Sequence, residues 1–233
     1  MAALVIPILM YHSVDLRSED YLTIARDQFA RQIEHLARHY AFVTVHDVAT
    51  QQVPDDALVI SFDDSLKDNI DHALPVLQQF GVRAVFFVIT GYLGRDNAWN
   101  PRAYRFADHM APGDLWDLAR AGHEIGSHSR THQRLTKLSD AQLEDELLRS
   151  HNMIAALCGV APGAFAYPYG GYDARCVAAM RRHYTFGFGS EREGDNDWAA
   201  SPGAIRRIFV DAADGAEELD RKIKEYRQAG EHA

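Results

Sequence analysis

Cysteine is nearly absent. Cys158 and Cys176 are the only two in 233 residues, and neither stands in a C-x-x-C pair or any other metal-ligand spacing. That excludes a disulfide framework and a thiolate metal site, and leaves two idle thiols in a reducing compartment as the expectation. The apolar start, residues 1–10, lacks the basic leader and small-residue cleavage site of a signal peptide, so it reads as a first strand. No run approaches the roughly 20 apolar residues of a membrane span, and the cytoplasm is the expected location. Clustered Lys/Arg is also missing, and with a formal charge of −9 this excludes a nucleic-acid partner, because phosphate binding needs a basic face. Internal repeats, low-complexity tracts and linkers are absent, so one domain over 1–233 is expected, a length that α/β barrels reach with a single core. Nothing in the sequence sets the oligomeric state.

What is present is an alternation. Short, two-sided apolar runs at 4–10, 42–45, 58–62, 82–89, 123–127, 164–167, 185–189 and 207–210 read as buried strands. Helical periodicity falls between them, over 27–39, 68–80, 114–120, 139–158, 173–183 and 214–228, with Asp27, Asp114 and Ser139 as expected N-caps. Strands alternating with helices predict a parallel α/β architecture, specifically a distorted (β/α) barrel with seven or eight mostly parallel strands. The stretch 90–112 has no clean period and is expected to be a binding loop, in which Tyr92 and Trp99 offer rings to a sugar face.

In such folds reactive groups gather at the C-terminal ends of the strands. His12, Asp63-Asp64, His128, Tyr169-Gly170 and Asp211 all fall at such ends. Two adjacent carboxylates at the end of a buried strand repel each other and lose hydration, which calls for a cation or a shared proton. His128 and His132, four residues apart, turn both imidazoles toward one ion on a helical turn or a turn-like loop. One carboxylate added to two imidazoles makes the mixed N/O set of Zn²⁺ and similar divalent ions, with positions left open for water and substrate. Neighbouring side chains at a strand end diverge, so one Asp is a ligand and the other is free to hold a proton. That is equipment for hydrolysing an amide or ester. The plainer alternative is that the two acids cap the helix at Asp68, and that Tyr167-Pro168-Tyr169-Gly170-Gly171 is only a turn.

The combination resembles the polysaccharide deacetylase (NodB-like) family of metal-dependent carbohydrate de-N-acetylases and esterases. Its T/S-F-D-D-G, H-S/T-x-x-H and P-Y-G motifs are similar to Ser61-Phe62-Asp63-Asp64-Ser65, His128-Ser129-Arg130-Thr131-His132 and Pro168-Tyr169-Gly170, in the same order. The resemblance implies a metal held by Asp64, His128 and His132, zinc first with cobalt, nickel, iron or manganese as alternatives. It also implies Asp63 as general base and the Tyr169 backbone N–H at the oxyanion. The implied enzyme is a metal-dependent deacetylase, a carbon-nitrogen hydrolase acting on linear amides. Its substrate would be an acetylated amino sugar, oligosaccharide or polysaccharide; with no export signal, a small intracellular substrate is the first expectation.

Three departures stand out. Ser65 replaces the usual Gly, at little cost if its backbone is ordinary. The Arg that orients the base in many members is replaced by Ala166, with Arg207 as the expected substitute and Arg206 second. The late His that serves as general acid is missing, so His12 is assigned to supply the proton or to contact substrate. These departures keep open a sugar-binding protein that has lost catalysis. Two His and one carboxylate also suit a non-haem iron oxygenase, although such sites commonly sit in all-β folds. Asp195-Asn196-Asp197-Trp198, loosely similar to another motif of the family, is expected to be a surface loop.

Overall fold

The computed structural model describes residues 3–16, 20–50, 53–97, 108–190 and 194–231. Among the described residues ten strands are formed: β1 (Ile8–Tyr11), β2 (Ser13–Asp15), β3 (Thr23–Ala25), β4 (Ala41–Phe42), β5 (Ala57–Phe62), β6 (Val85–Val88), β7 (Glu124–Ser127), β8 (Ala164–Ala166), β9 (Phe186–Phe188) and β10 (Ile208–Phe209). The helices are α1 (Arg26–Leu36), α2 (Val45–Thr50), α3 (Leu74–Gln79, entered through a π-turn at Asn69–Ala73), α4 (Pro112–Arg120), α5 (Asp140–Cys158), α6 (Ala174–Met180) and α7 (Ala216–Glu231).

Eight strands make one sheet in the order β10-β1-β5-β6-β7-β8-β9, with β4 paired to β5 off that path. Every pairing within it is parallel. β4 lies beside Ala57 and Leu58, and β6 beside Ser61 and Phe62, so the two share one edge of β5. The ends of the sheet meet. Ile205 bridges Phe188 of β9 in parallel, and the same run goes on to pair with β1 through Ile208 and Phe209. The sheet thus curls into the distorted (β/α) barrel that the alternation predicts. β2 and β3 form a separate two-stranded parallel ribbon.

The period-2 pleat sorts the side chains into two layers. Ile8, Val59, Val85, Phe87, Ala164, Ala166, Phe186 and Phe188 pack together inside the barrel. Leu9, Tyr11, Leu58, Ile60, Phe62, Phe86 and Val88 face outward, against apolar residues of the helices such as Phe29, Leu77, Leu118, Leu219 and Ile223. Trp198 closes the interior: it is fully buried, its ring lies 5.2 Å from Phe188 and 5.4 Å from Phe186, and its Nε1–H donates to Ile6 O at 3.0 Å. The expected surface loop at 195–198 is therefore corrected. Its polar residues cap backbone while its indole packs inside the barrel.

Other local expectations change too. Val45 opens α2 and does not extend β4, since Thr44 and Asp47 bond reciprocally across the first turn. Ser139 does form a capping box with Gln142. Asp27 and Asp114 instead sit inside the first turns of α1 and α4, where a carboxylate complements the helix dipole, and Asp114 accepts the Ala111 N–H.

Candidate active site

The pleat of β5 gives the adjacent acids different surroundings. Val59 and Ser61 face the barrel interior, and Asp63 is the next inward position. Its N–H donates to Tyr11 O at 3.0 Å, continuing the ladder. Arg207 meets it there, Nη1 on Oδ1 and Nη2 on Oδ2, both at 2.7 Å, while Arg207 Nε donates to Gly189 O at 2.9 Å. The guanidinium is 1% exposed and lies over the Phe87 ring. Burial pushes the Asp63 carboxyl up, but the Arg207 guanidinium and His128 outweigh it and hold the group ionised, below the usual carboxylate range. Arg206 points away, donating to Asn196 Oδ1 and stacking on Tyr226.

Beyond Asp63 the backbone turns left-handed at Asp64 (φ 69°) and Ser65 (φ 53°). Ordinary backbone angles at Ser65 are thus not observed. The position is one that favours glycine, and the serine occupies it with its hydroxyl engaged: Oγ accepts the Ile89 N–H at 3.3 Å and contacts His109 Nδ1 at 3.2 Å. The turn carries Asp64 Oδ1 to 3.4 Å from His128 Nε2 and 3.3 Å from His132 Nε2, and the two ring nitrogens are 3.2 Å apart. All three residues are buried. His128 and His132 share a turn-like loop, not a helix, with Ser129 and His132 at φ 65° and 56°.

These three distances test the fit of a metal. Ligand bonds of ~2.0–2.1 Å in a tetrahedral site set the ligand atoms ~3.3–3.4 Å apart, and the triangle matches that edge. The tautomer fits as well. His128 Nδ1 lies 2.8 Å from Ala166 O, so it carries the proton and leaves Nε2 as a lone-pair donor. Burial lowers His132 to about 3, against the pull of Asp64; burial also acts downward on His128, but Asp63 and Asp64 outweigh it and raise that group. The donor set Asp64, His128 and His132 suits a divalent cation.

His12, one residue past β1, lines the same cleft of about 280 Å³ with Tyr21, Tyr169 and Phe209. Its Nδ1 is buried and has no hydrogen-bond partner among the described residues. Burial lowers its pKa, with Asp63 and Asp64 opposing. Tyr169 occupies a left-handed position (φ 60°, ψ 13°) in the turn Pro168–Gly170. The hydrogen bonds of that turn are donated by Gly170 and Gly171, so they do not use the Tyr169 N–H. Gly170 is needed for close approach, since a Cβ there would lie 2.5 Å from Ser190 Cβ. The Tyr169 ring is half exposed, 4.6 Å from the His132 ring and covered by the Arg134 guanidinium at 4.1 Å.

Asp211 does not line the cleft; it is tied into a turn with Ala213 and Asp214. The helix that follows Asp63 and Asp64 is entered at Asp68, whose side chain makes no cap hydrogen bond, while Asp63 meets Arg207 and Asp64 meets the two imidazoles. Tyr92 stacks at a tilt on His109, and Trp99 lies outside the described residues. Tyr21, Phe209 and Ser190 line the cleft without having been singled out from the sequence. Tyr21 falls in a stretch with no motif, and Phe209 reads only as a strand residue. A larger groove of about 670 Å³ lies near the opposite strand ends, around His123, Glu124 and Gly163, away from the converging carboxylates and imidazoles.

The parallel barrel thus gathers, at its strand C-termini, an Arg-clamped carboxylate beside a carboxylate and two imidazoles that form a candidate metal centre. The family model described as polysaccharide deacetylase matches residues 50–185, more than half of the chain, and the chain belongs to that family. Among curated relatives, the chain is 26% identical over 193 residues to the Bacillus subtilis (strain 168) protein YxkH, covering 80% of this chain and 64% of that one. It is also 26% identical over 156 residues to the poly-beta-1,6-N-acetyl-D-glucosamine N-deacetylase of Staphylococcus aureus (strain MSSA476), covering 64% of this chain and 54% of that one. The chain thus spans somewhat over half the length of these relatives. Among solved structures, the Streptococcus pyogenes deacetylase PplD in complex with acetate superposes with a TM-score of 0.83 at 22% identity, over 95% of this chain and 99% of that one. IcaB from Ammonifex degensii superposes at 0.77 and 21% identity, over 94% and 97% of the two chains. At these identities the likeness carries the fold.

Proposed function

We propose that this chain is a metal-dependent hydrolase that removes the acetyl group from an N-acetylated amino sugar within an oligosaccharide or polysaccharide. The observation that carries this is the triangle of Asp64, His128 and His132 beside an Asp63 that Arg207 keeps ionised and out of that triangle. The relatives named as N-deacetylases of a β-1,6-linked N-acetylglucosamine polymer support the amide over the ester, and a glycan over a free small molecule.

A divalent ion on Asp64, His128 and His132, zinc by donor set, would polarise the acetyl carbonyl and acidify water. Asp63 takes the proton of the attacking water on a carboxylate oxygen. Arg207 holds both oxygens, so the base keeps its orientation and stays ionised until the proton arrives. The Tyr169 backbone N–H donates to the oxygen that gains charge as the carbonyl carbon becomes tetrahedral. The C–N bond then breaks, and acetate and the amine separate. Of the two roles open to His12, contact with substrate fits better than supply of the proton, because burial favours its neutral form. Asp63, carrying the proton it has just taken, passes it to the leaving nitrogen.

Arg207 on Asp63 weakens the alternative of a sugar-binding protein without catalysis, since the Arg missing at position 166 has a counterpart. Acetate release from β-linked N-acetylglucosamine oligomers and from O-acetylated sugars tests the proposal. Release from the former, abolished in Asp63→Asn, is expected. Full activity in Asp63→Asn would overturn the assigned base, and ligand binding without any turnover would favour the binding protein.

A further inference from the structure

The loop that presents His128 and His132 is held from behind by α5. Glu146 is 4% exposed, and its carboxylate takes three hydrogen bonds from the loop: Arg130 N–H and Thr131 N–H on Oε2 at 3.0 and 2.8 Å, and the Thr131 hydroxyl on Oε1 at 2.5 Å. One turn further along α5, Ser150 Oγ donates to Ser129 O at 3.3 Å and lies 2.7 Å from Ser127 Oγ. Ser127 Oγ in turn accepts the Ser129 N–H, and Ser129 Oγ accepts the His132 N–H. Glu146 and Ser150 share a face of α5 with Leu143, Leu147 and Ile154, all buried.

A carboxylate on the buried face of a helix costs desolvation free energy and persists where it is paired or bonded. Among the described residues no cation pairs with it. Its partners are loop donors between the two histidines, and the loop needs restraint, because Ser129 and His132 hold left-handed backbone without being glycine. Residues behind the ligands of a metal site set ligand direction and thereby affinity. We propose that Glu146 is the positioning residue of the candidate metal site, fixing the 128–132 loop so that both imidazole Nε2 atoms face Asp64. The inference rests on the metal reading given under Proposed function.

The test is zinc affinity of the full chain by competition with a chromogenic chelator, together with the visible spectrum of the cobalt-loaded protein. Glu146→Gln keeps the size but offers one acceptor oxygen for three donors; zinc affinity is expected to fall roughly 10–100-fold, with a changed cobalt spectrum. Asp145→Asn, which removes only the neighbouring surface ion pairs to Arg130 and Arg149, is expected to stay within about twofold. If Glu146→Gln does not fold, Thr131→Val removes a single bond to Glu146 and is expected to lower affinity by a smaller factor. Wild-type zinc affinity and cobalt spectrum in the folded Glu146 variant, or in Thr131→Val where that variant does not fold, would overturn the positioning role while leaving the metal reading intact. A wild-type chain that holds no zinc would overturn both.

Discussion

The Arg207–Asp63 pair allows a prediction whose sign changes with pH. Arg207→Met removes a guanidinium that is 1% exposed and leaves a carboxylate that is 2% exposed, with the His128 imidazole, Nε2 at 3.9 Å, beside it. Removing one partner of such a buried pair costs about 3–5 kcal/mol. In the native chain the Asp63 pKa is depressed, so its contribution is present above the ordinary carboxylate value of 3.8 and is lost as pH falls through the folded value. In Arg207→Met burial acts with less opposition and the folded pKa rises. The variant then escapes part of the penalty by protonating Asp63 at low pH, and each pH unit below its raised pKa recovers about 1.4 kcal/mol. Urea unfolding at pH 5 and pH 8 should give a larger loss at pH 8. The double variant Asp63→Asn/Arg207→Met should be more stable than Arg207→Met alone at pH 8, and Arg207→Lys, a single-point donor, should lie between native and Met. A loss below about 1 kcal/mol at both pH values, or one independent of pH, would refute the pairing.

Two further outcomes follow from the structure. Burial, with Asp15 adding to it, raises the Asp68 carboxyl to about 7 although the Ser13 hydroxyl donates to it at 2.6 Å. The fold thus favours its neutral form: that contribution is present below the ordinary 3.8 and is lost as pH rises through about 7. Asp68→Asn should therefore gain about 1–3 kcal/mol on the native chain between pH 4.5 and pH 8 in chemical denaturation, and parallel pH curves would count against it. At Ser65, exchange for Gly relieves the left-handed backbone by about 1 kcal/mol while losing hydroxyl bonds of similar worth, so the melting temperature should barely move. Ser65→Ala loses the bonds and keeps the strain, and should melt several degrees lower; equal melting of the Gly and Ala variants would show that the hydroxyl contributes nothing.

Much of the barrel was legible because its strands are two-sided apolar runs, and a strand buried on both faces leaves that imprint whatever its exact ends. The ends were less legible: Val45 belongs to α2 because Thr44 and Asp47 bond each other, a contact that hydropathy does not encode. The candidate ligands were readable because acids and imidazoles at strand ends have few other reasons to be there. Arg207 could be nominated only by its place in the last apolar run; it reaches Asp63 because β10 pairs with β1, which in turn pairs with β5. The burial of Trp198 rests on contacts with Phe186 and Phe188 inside the closed barrel, which local hydropathy does not encode. Glu146 went unnoticed, yet it carried a signal: a charge in register with Leu143, Leu147 and Ile154 on the apolar stripe of α5.

The central claim is that Asp64, His128 and His132 hold the ion on which deacetylation depends. Metal content and acetate release, measured together while the chelated chain is titrated with zinc, test it most directly. The account predicts that activity on N-acetylglucosamine oligomers vanishes on chelation and returns in full at one equivalent per chain, and that His128→Ala neither retains nor regains the ion. Undiminished acetate release from the metal-free chain, or stoichiometric zinc binding by His128→Ala, would contradict it.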